Sequence, residues 1–224
     1  MGVMAIGTAG TAQATVGACW GYINPTTKAL ECFSKTLEAK TAIGIETSAT
    51  LLIVETNIEV LCTAAAFSEG GELSENGSIL LGRVKFSGCK SNTSNAKLEK
   101  LGACTPNDPV GGLGTVVTEK GKGLIVLHNG TPVVQLEPDE GTILAKIFLG
   151  PECGVGGELI VEGKLILNPD CKGEFATHKE VHLIEEFTAL QLMTVKKKKA
   201  FIDGSANVSL SGTHAGFLWG GHGA

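Results

Sequence analysis

Seven cysteines, Cys19, Cys32, Cys62, Cys89, Cys104, Cys153 and Cys171, are the residues of this 224-residue chain that most clearly promise chemistry, and that chemistry is oxidative cross-linking. None is arranged as Cys-x-x-Cys and no histidine stands at zinc-finger spacing from them, which argues against a structural zinc site. Disulfides are the better reading for a chain that opens on an export-like segment. Six of the seven fall into sequence-neighbouring pairs, Cys19 with Cys32, Cys89 with Cys104 and Cys153 with Cys171, each enclosing a turn-rich loop. Spacing alone does not decide connectivity, but these pairs are the favoured expectation. Loops of this size would each stabilise by on the order of 3 kcal/mol. Cys62 is then left over, either buried and inert or available for a bond between chains. A cysteine nucleophile would need a reduced thiol, which export disfavours.

Other chemistry-bearing residues read more blandly. His178 and His182 could share one face of a helix or strand, but Lys179 stands where a zincin needs Glu, so the metalloprotease motif fails. His214 and His222 lie among glycines and aromatics near the end of the sequence. Gly154-Val155-Gly156-Gly157 lacks the Lys-Ser/Thr of a phosphate-binding loop and runs into strand-like Glu158 to Val161, so a tight turn is expected. The acidic pairs Asp139-Glu140 and Glu185-Glu186 are adjacent in sequence, as solvated turn residues are. There is no Gly-x-Ser-x-Gly elbow, and the five histidines suggest no triad. No catalytic residue, metal or cofactor is assigned. Trp20, Tyr22 and Trp219 are the candidates for stacking against a sugar or other small ligand. Lys196 to Lys199, the one dense charge run, reads as an edge or turn device that blunts strand pairing. Four sequons, at Asn76, Asn92, Asn129 and Asn207, do not decide the host.

The elements that must position these residues are strands. Residues 1–14 form a short apolar stub ending in Ala12-Gln13-Ala14, the small-x-small pattern of a signal-peptidase site, with Lys28 the first positive residue. The stub is expected to be a signal-peptide remnant or an N-terminal strand, and residues 15–224 a single β domain. Thirty-one glycines, 18% charged residues and 5% aromatics suit many short strands joined by tight turns. A chain of this length buries about two thirds of its unfolded surface and needs no metal to build a core. The net charge of -5 gives no footprint for nucleic acid, and no apolar run is long enough for a transmembrane helix.

Alternation marks Arg83 to Ser87, with Val84 and Phe86 on one side, and Ala206 to Ser211, with Val208 and Leu210 on one side. Leu124 to His128 and Thr131 to Leu136 flank Asn129-Gly130, a type I′ hairpin signal, and Pro132 puts its strand at an edge or bulge. Turns are expected at Glu119 to Gly123, Pro138 to Gly141 and Asn168 to Asp170. From about Val110 onward the spacing predicts an antiparallel meander. Lys97 to Leu101 allows one helical turn, and His178 to Val195 is read as strands broken near Glu185-Glu186.

Arg83-Val84-Lys85-Phe86-Ser87-Gly88-Cys89, after Leu61-Cys62-Thr63, together with Asn207 to Gly212 leading into Gly216 to Gly220, resembles uncharacterised exported β-rich proteins of high-GC Gram-positive bacteria. Those carry a hydrophobic-x-Phe-x-Gly-Cys strand, a preceding Val- or Leu-Cys strand, and a strand of alternating Val and Ser. The resemblance implies an exported all-β domain and a Cys62–Cys89 bond across neighbouring strands, in competition with the hairpin pairing above. It implies no activity.

The expected fold is therefore an all-β, disulfide-stapled antiparallel sandwich or flattened barrel. The expected function is a non-catalytic extracellular or cell-surface structural protein whose partners are copies of itself or cell-envelope polymers. A glycan- or ligand-binding secreted module is the alternative, with a viral structural protein or a secreted hydrolase further behind.

Overall fold

A computed structural model describes residues 19–33, 41–53, 58–74, 76–93, 104–128, 131–150, 153, 157–169, 180–183, 194–195 and 198–222. Among the described residues the regular structure is twenty strands and one short 3-10 turn, Gly212–His214. The first eight strands are β1 (Cys19–Ile23), β2 (Leu30–Cys32), β3 (Thr41–Ile53), β4 (Ile58–Phe67), β5 (Gly71–Leu73), β6 (Ser78–Leu81), β7 (Val84–Ser87) and β8 (Lys90–Thr93). Then come β9 (Asn107–Asp108), β10 (Gly112–Leu113), β11 (Thr115–Val117), β12 (Gly121–His128), β13 (Thr131–Pro138) and β14 (Ile143–Leu149). The last are β15 (Gly157–Glu162), β16 (Leu165–Pro169), β17 (Glu180–Leu183), β18 (Thr194–Val195), β19 (Lys198–Leu210) and β20 (Trp219–His222). The expected all-β, antiparallel, disulfide-stapled class is what the chain adopts.

The alternation of side chains explains why these segments are strands. In β14, Ala145, Ile147 and Leu149 point inward, while Lys146 and Phe148 are only half-buried. In β15, Leu159 and Val161 face the same core, and Glu158 pairs with Lys146 on the outside. A period of two is what a sheet with one buried face imposes.

The longest ladder joins β19 to β3, from Ala200 opposite Ile53 to Leu210 opposite Ile43. From β3 the pairings run through β5, β6, β12, β13, β16 and β17 and return to β19. A second set of strands branches away: β4 pairs with β3, β7 and β8, and β7 with β11. The β14–β15 hairpin reaches β19 through β18, with Val195 opposite Lys198. A separate three-stranded sheet has the order β2-β1-β20.

Among the described residues two large apolar clusters fill the interior, with a smaller one of Val126, Val133 and Ile166 beside them. One gathers Val60, Val116, Ile147 and Leu159 around four cysteines. The other packs Trp20, Phe33 and Trp219 of the small sheet against Leu73, Ile125 and Leu136. Leu165 packs against both. Gly123 in β12 is required by crowding, because a Cβ there would run into Leu136, Gln135 and Ile79 on the neighbouring strands.

Three disulfides are present: Cys19–Cys32, Cys62–Cys89 and Cys104–Cys153. The first joins sequence neighbours across the β1–β2 turn. The expected Cys89–Cys104 and Cys153–Cys171 pairs are corrected, and Cys62 is not left over. The reason is register. β4 runs beside β7 with Ala64 opposite Ser87 and beside β8 with Leu61 opposite Lys90, so the intervening Cys62 and Cys89 fall directly across from one another. Cys104 is held beside β8, its carbonyl accepting from the Ser91 N–H, and bonds Cys153, which follows β14. Cys171 lies outside the described residues.

The meander is also corrected. β13 turns back along β16 while the intervening β14–β15 hairpin crosses to the cysteine-rich core, where its apolar faces are buried. Asn168 and Pro169, expected in a turn, pair with His182 and Val181 at the end of β16. The Asn129-Gly130 turn lies outside the described residues, but its flanks pair with His128 opposite Thr131. Pro132 sits beyond the reach of the β13–β16 ladder, where a missing N–H costs no bond on that side. Residues 1–14, the Lys97 to Leu101 turn and Glu185-Glu186 are outside the described residues.

Removing one staple tests this connectivity. The double substitution Cys62→Ala with Cys89→Ala is expected to lower unfolding free energy by about 3 to 4 kcal/mol in the loop-entropy model. Urea denaturation under oxidising conditions reads it. The Cys89→Ala single variant should fall by a comparable amount, and a loss under about 1 kcal/mol for the pair would contradict the bond.

Candidate functional site

Two places in the fold bring unusual side chains together. The first is the small sheet, where β1 pairs β20 with Trp20 opposite Gly221 and Tyr22 opposite Trp219. A strand period of two puts Trp20, Tyr22 and Trp219 on one face, and that face is turned into the core. Trp20 is 3% and Trp219 7% exposed, with ring centroids 5.7 Å apart. Both pack in the cluster that contains Ile125 and Leu136. Gly221 admits this contact: a Cβ there would lie 2.9 Å from Ile125 Cδ1 and 3.2 Å from the Trp20 ring.

Tyr22 is half-buried and its ring is already surrounded. Phe33 stacks at 5.7 Å, His214 lies at 4.8 Å and Phe217 at 5.5 Å. Its hydroxyl donates to Glu31 Oε2 at 2.8 Å, and Asn24 Nδ2 donates to Glu31 Oε1 at 2.8 Å. The expectation that Trp20, Tyr22 and Trp219 form a stacking platform is therefore corrected. Two are buried, and the third spends its ring on protein neighbours. Burial of aromatic area at a seam between distant parts of a chain outweighs leaving it open to solvent.

The second place is the loop that carries β9 and β10. Asp108 is buried, and its carboxylate accepts three backbone bonds: Oδ1 from the Val110 and Gly111 N–H groups at 2.8 Å each, and Oδ2 from the Val117 N–H at 3.1 Å. Thr115 Oγ1 donates to the Gly112 carbonyl at 2.6 Å, and the Gly114 N–H donates to the Pro106 carbonyl at 2.7 Å. Gly112 and Gly114 have φ of 87° and 73°, conformations that favour glycine. Sequence reasoning passed over this loop, although Asp108-Pro109 followed by two glycines is a turn signal.

The remaining candidates are not gathered. His182 is in β17 opposite Asn168 and Ser205, His222 in β20 opposite Cys19, and His178 is outside the described residues. Asp139 and Glu140 are exposed between β13 and β14. Among the described residues, no group of three or more His, Cys, Asp or Glu is placed to hold a metal ion. Arg83 reaches Glu119 at 3.3 Å and Glu69 at 3.7 Å, and Lys120 reaches Glu69 at 2.9 Å. This half-exposed network joins three corners of the sheets, and such pairs contribute little each.

Fold and site define a class: an antiparallel all-β protein held by internal disulfides, with its aromatic residues used as packing. Three disulfides, and no helix among the described residues long and apolar enough to cross a membrane, are compatible with an extracellular location. No protein-family profile, curated protein or solved structure matches the chain.

Two substitutions test these assignments. Trp219→Ala should destabilise by about 3–5 kcal/mol, as large aromatic truncations in cores do, measured by urea denaturation. A change within about 0.5 kcal/mol would mean an exposed ring. Asp108→Ala should cost about 1–3 kcal/mol and speed amide hydrogen exchange at Val110, Gly111 and Val117, with exchange elsewhere following only the global loss.

Proposed function

We propose that this protein is an exported, non-catalytic structural component of a cell surface, of the kind resembled by the β-rich proteins of high-GC Gram-positive bacteria, and that it self-associates by strand addition. The single observation that supports this reading is the unpaired second edge of β20, which is buried at Trp219, Gly220 and Gly221, so that a donor strand must displace what covers it. In the order β2-β1-β20, β20 is terminal and has no second partner strand among the described residues. The Ile23 N–H donates to the Leu218 carbonyl, so the alternation of the ladder turns the N–H and C=O of Trp219 and Gly221 away from β1. No proline or charged side chain stands between Trp219 and Gly221 to blunt that edge.

The natural donor is the apolar segment of residues 1–14 of a second copy, whose strand would extend the sheet by backbone hydrogen bonds. A donor at one end and an acceptor elsewhere make a heterologous contact, which propagates into chains or closes into rings. Light scattering with negative-stain electron microscopy, on exported protein beginning at residue 1 and at residue 15, tests it. Polymers or rings with only the longer form are expected; identical monomers with the segment retained would defeat the proposal.

A further inference from the structure

The loop tip between β9 and β10 presents an apolar surface that the self-association reading does not use. Val110 is 77% and Leu113 74% exposed, the most exposed large apolar residues among those described, and Pro109 beside them is exposed as well. From Cys104 to Thr118 the only charged residue is Asp108, and its carboxylate faces inward onto three backbone amides.

The N–H groups of the tip are likewise turned inward. Val110 and Gly111 donate to Asp108, Gly112 and Leu113 pair with Asp108 and Asn107, Gly114 donates to Pro106, and Pro109 has no N–H. A loop facing water has no need to satisfy its amides internally. One entering hydrocarbon does, because an unpaired backbone group there costs several kcal/mol. The base is rigid as well: the Cys89 N–H donates to the Gly114 carbonyl, Val116 pairs with Phe86, and Cys104 is tied to Cys153. Little conformational entropy is left to lose on insertion.

We propose that this tip inserts Val110 and Leu113 into the interfacial zone of a lipid layer. A protein partner is the poorer occupant: specific protein interfaces carry about one hydrogen bond per 100–200 Å², and the N–H donors of this tip are already engaged within the loop. The uncharged tip on a chain of net charge -5 matches a neutral lipid surface rather than an anionic one. Two apolar side chains give each copy a weak hold, which strengthens when several copies are linked.

The test is flotation of the full-length oxidised protein with zwitterionic phosphatidylcholine vesicles, read as the partition coefficient at fixed assembly state, the latter monitored by light scattering. The wild type should float. The Val110→Ser/Leu113→Ser variant should partition at least about tenfold less, as expected for removing two buried apolar side chains. Leu61→Ser, at an apolar residue 50% exposed on β4, should partition as wild type. Unchanged urea midpoints for the loop variant establish that it is folded. No flotation of wild type, equal flotation of the loop variant, or an equal loss for Leu61→Ser would overturn the proposal. So would a loop variant that abolishes self-association in the absence of vesicles, since a second copy would then be the occupant. Polymers that form but do not float would sink this inference and leave strand addition standing, whereas monomers that float would do the reverse.

Discussion

The β19–β3 ladder is the constraint on which the other elements depend. A backbone buried in a core must find partners for its N–H and C=O groups, and this pair of long strands supplies them over the whole distance between the two apolar clusters. Ala200, near its start, belongs to the cysteine-rich core, and Leu210, at its end, to the aromatic one. β3 hands the pairing on to β4 and β5, and β19 to β17 and β18. A one-residue slip in this ladder would exchange its inward and outward faces and misplace both clusters at once.

The disulfides act on top of that register. Cys62 meets Cys89 because β4 is shared by β7 and β8, so the bond locks a pairing that the backbone already makes. Cys104–Cys153 has a different task, joining the β9–β11 region to the β14–β15 hairpin across 49 residues of sequence. Both sit among Val60, Val116 and Leu159, shielded from solvent, whereas Cys19–Cys32 fastens the small sheet at its first turn.

What could be read from the residues was local. The alternation of Arg83 to Ser87 and of Ala206 to Ser211, and the flanks of Asn129-Gly130, each report a neighbourhood of a few residues, and each appears as strand or hairpin flank. A bond across one turn, Cys19–Cys32, is similarly local. Long-range register was not legible in spacing: the Cys62–Cys89 bond was implied only by the resemblance, and nothing in the residues placed Cys104 near Cys153 until β4, β8 and the β14–β15 hairpin had been aligned. The aromatic residues failed for the same reason. Trp20 and Trp219 look like surface aromatics in isolation, and their burial follows only from the pairing of β1 with β20. Asp108 showed its turn chemistry in sequence, but the third amide, from Val117, comes from the far side of the loop.

The pairing of β1 with β20 also sets the order in which the molecule can be completed. A chain that emerges N-terminus first makes β1 and its neighbour β2 together but the other partner of β1, β20, only after β3 to β19. Trp20 and Phe33 then lack Trp219 as a neighbour until residues 219–222 are free. Contacts this distant in sequence form slowly and late. The aromatic core therefore closes only after β20 has been delivered, however early β1 and β2 have paired.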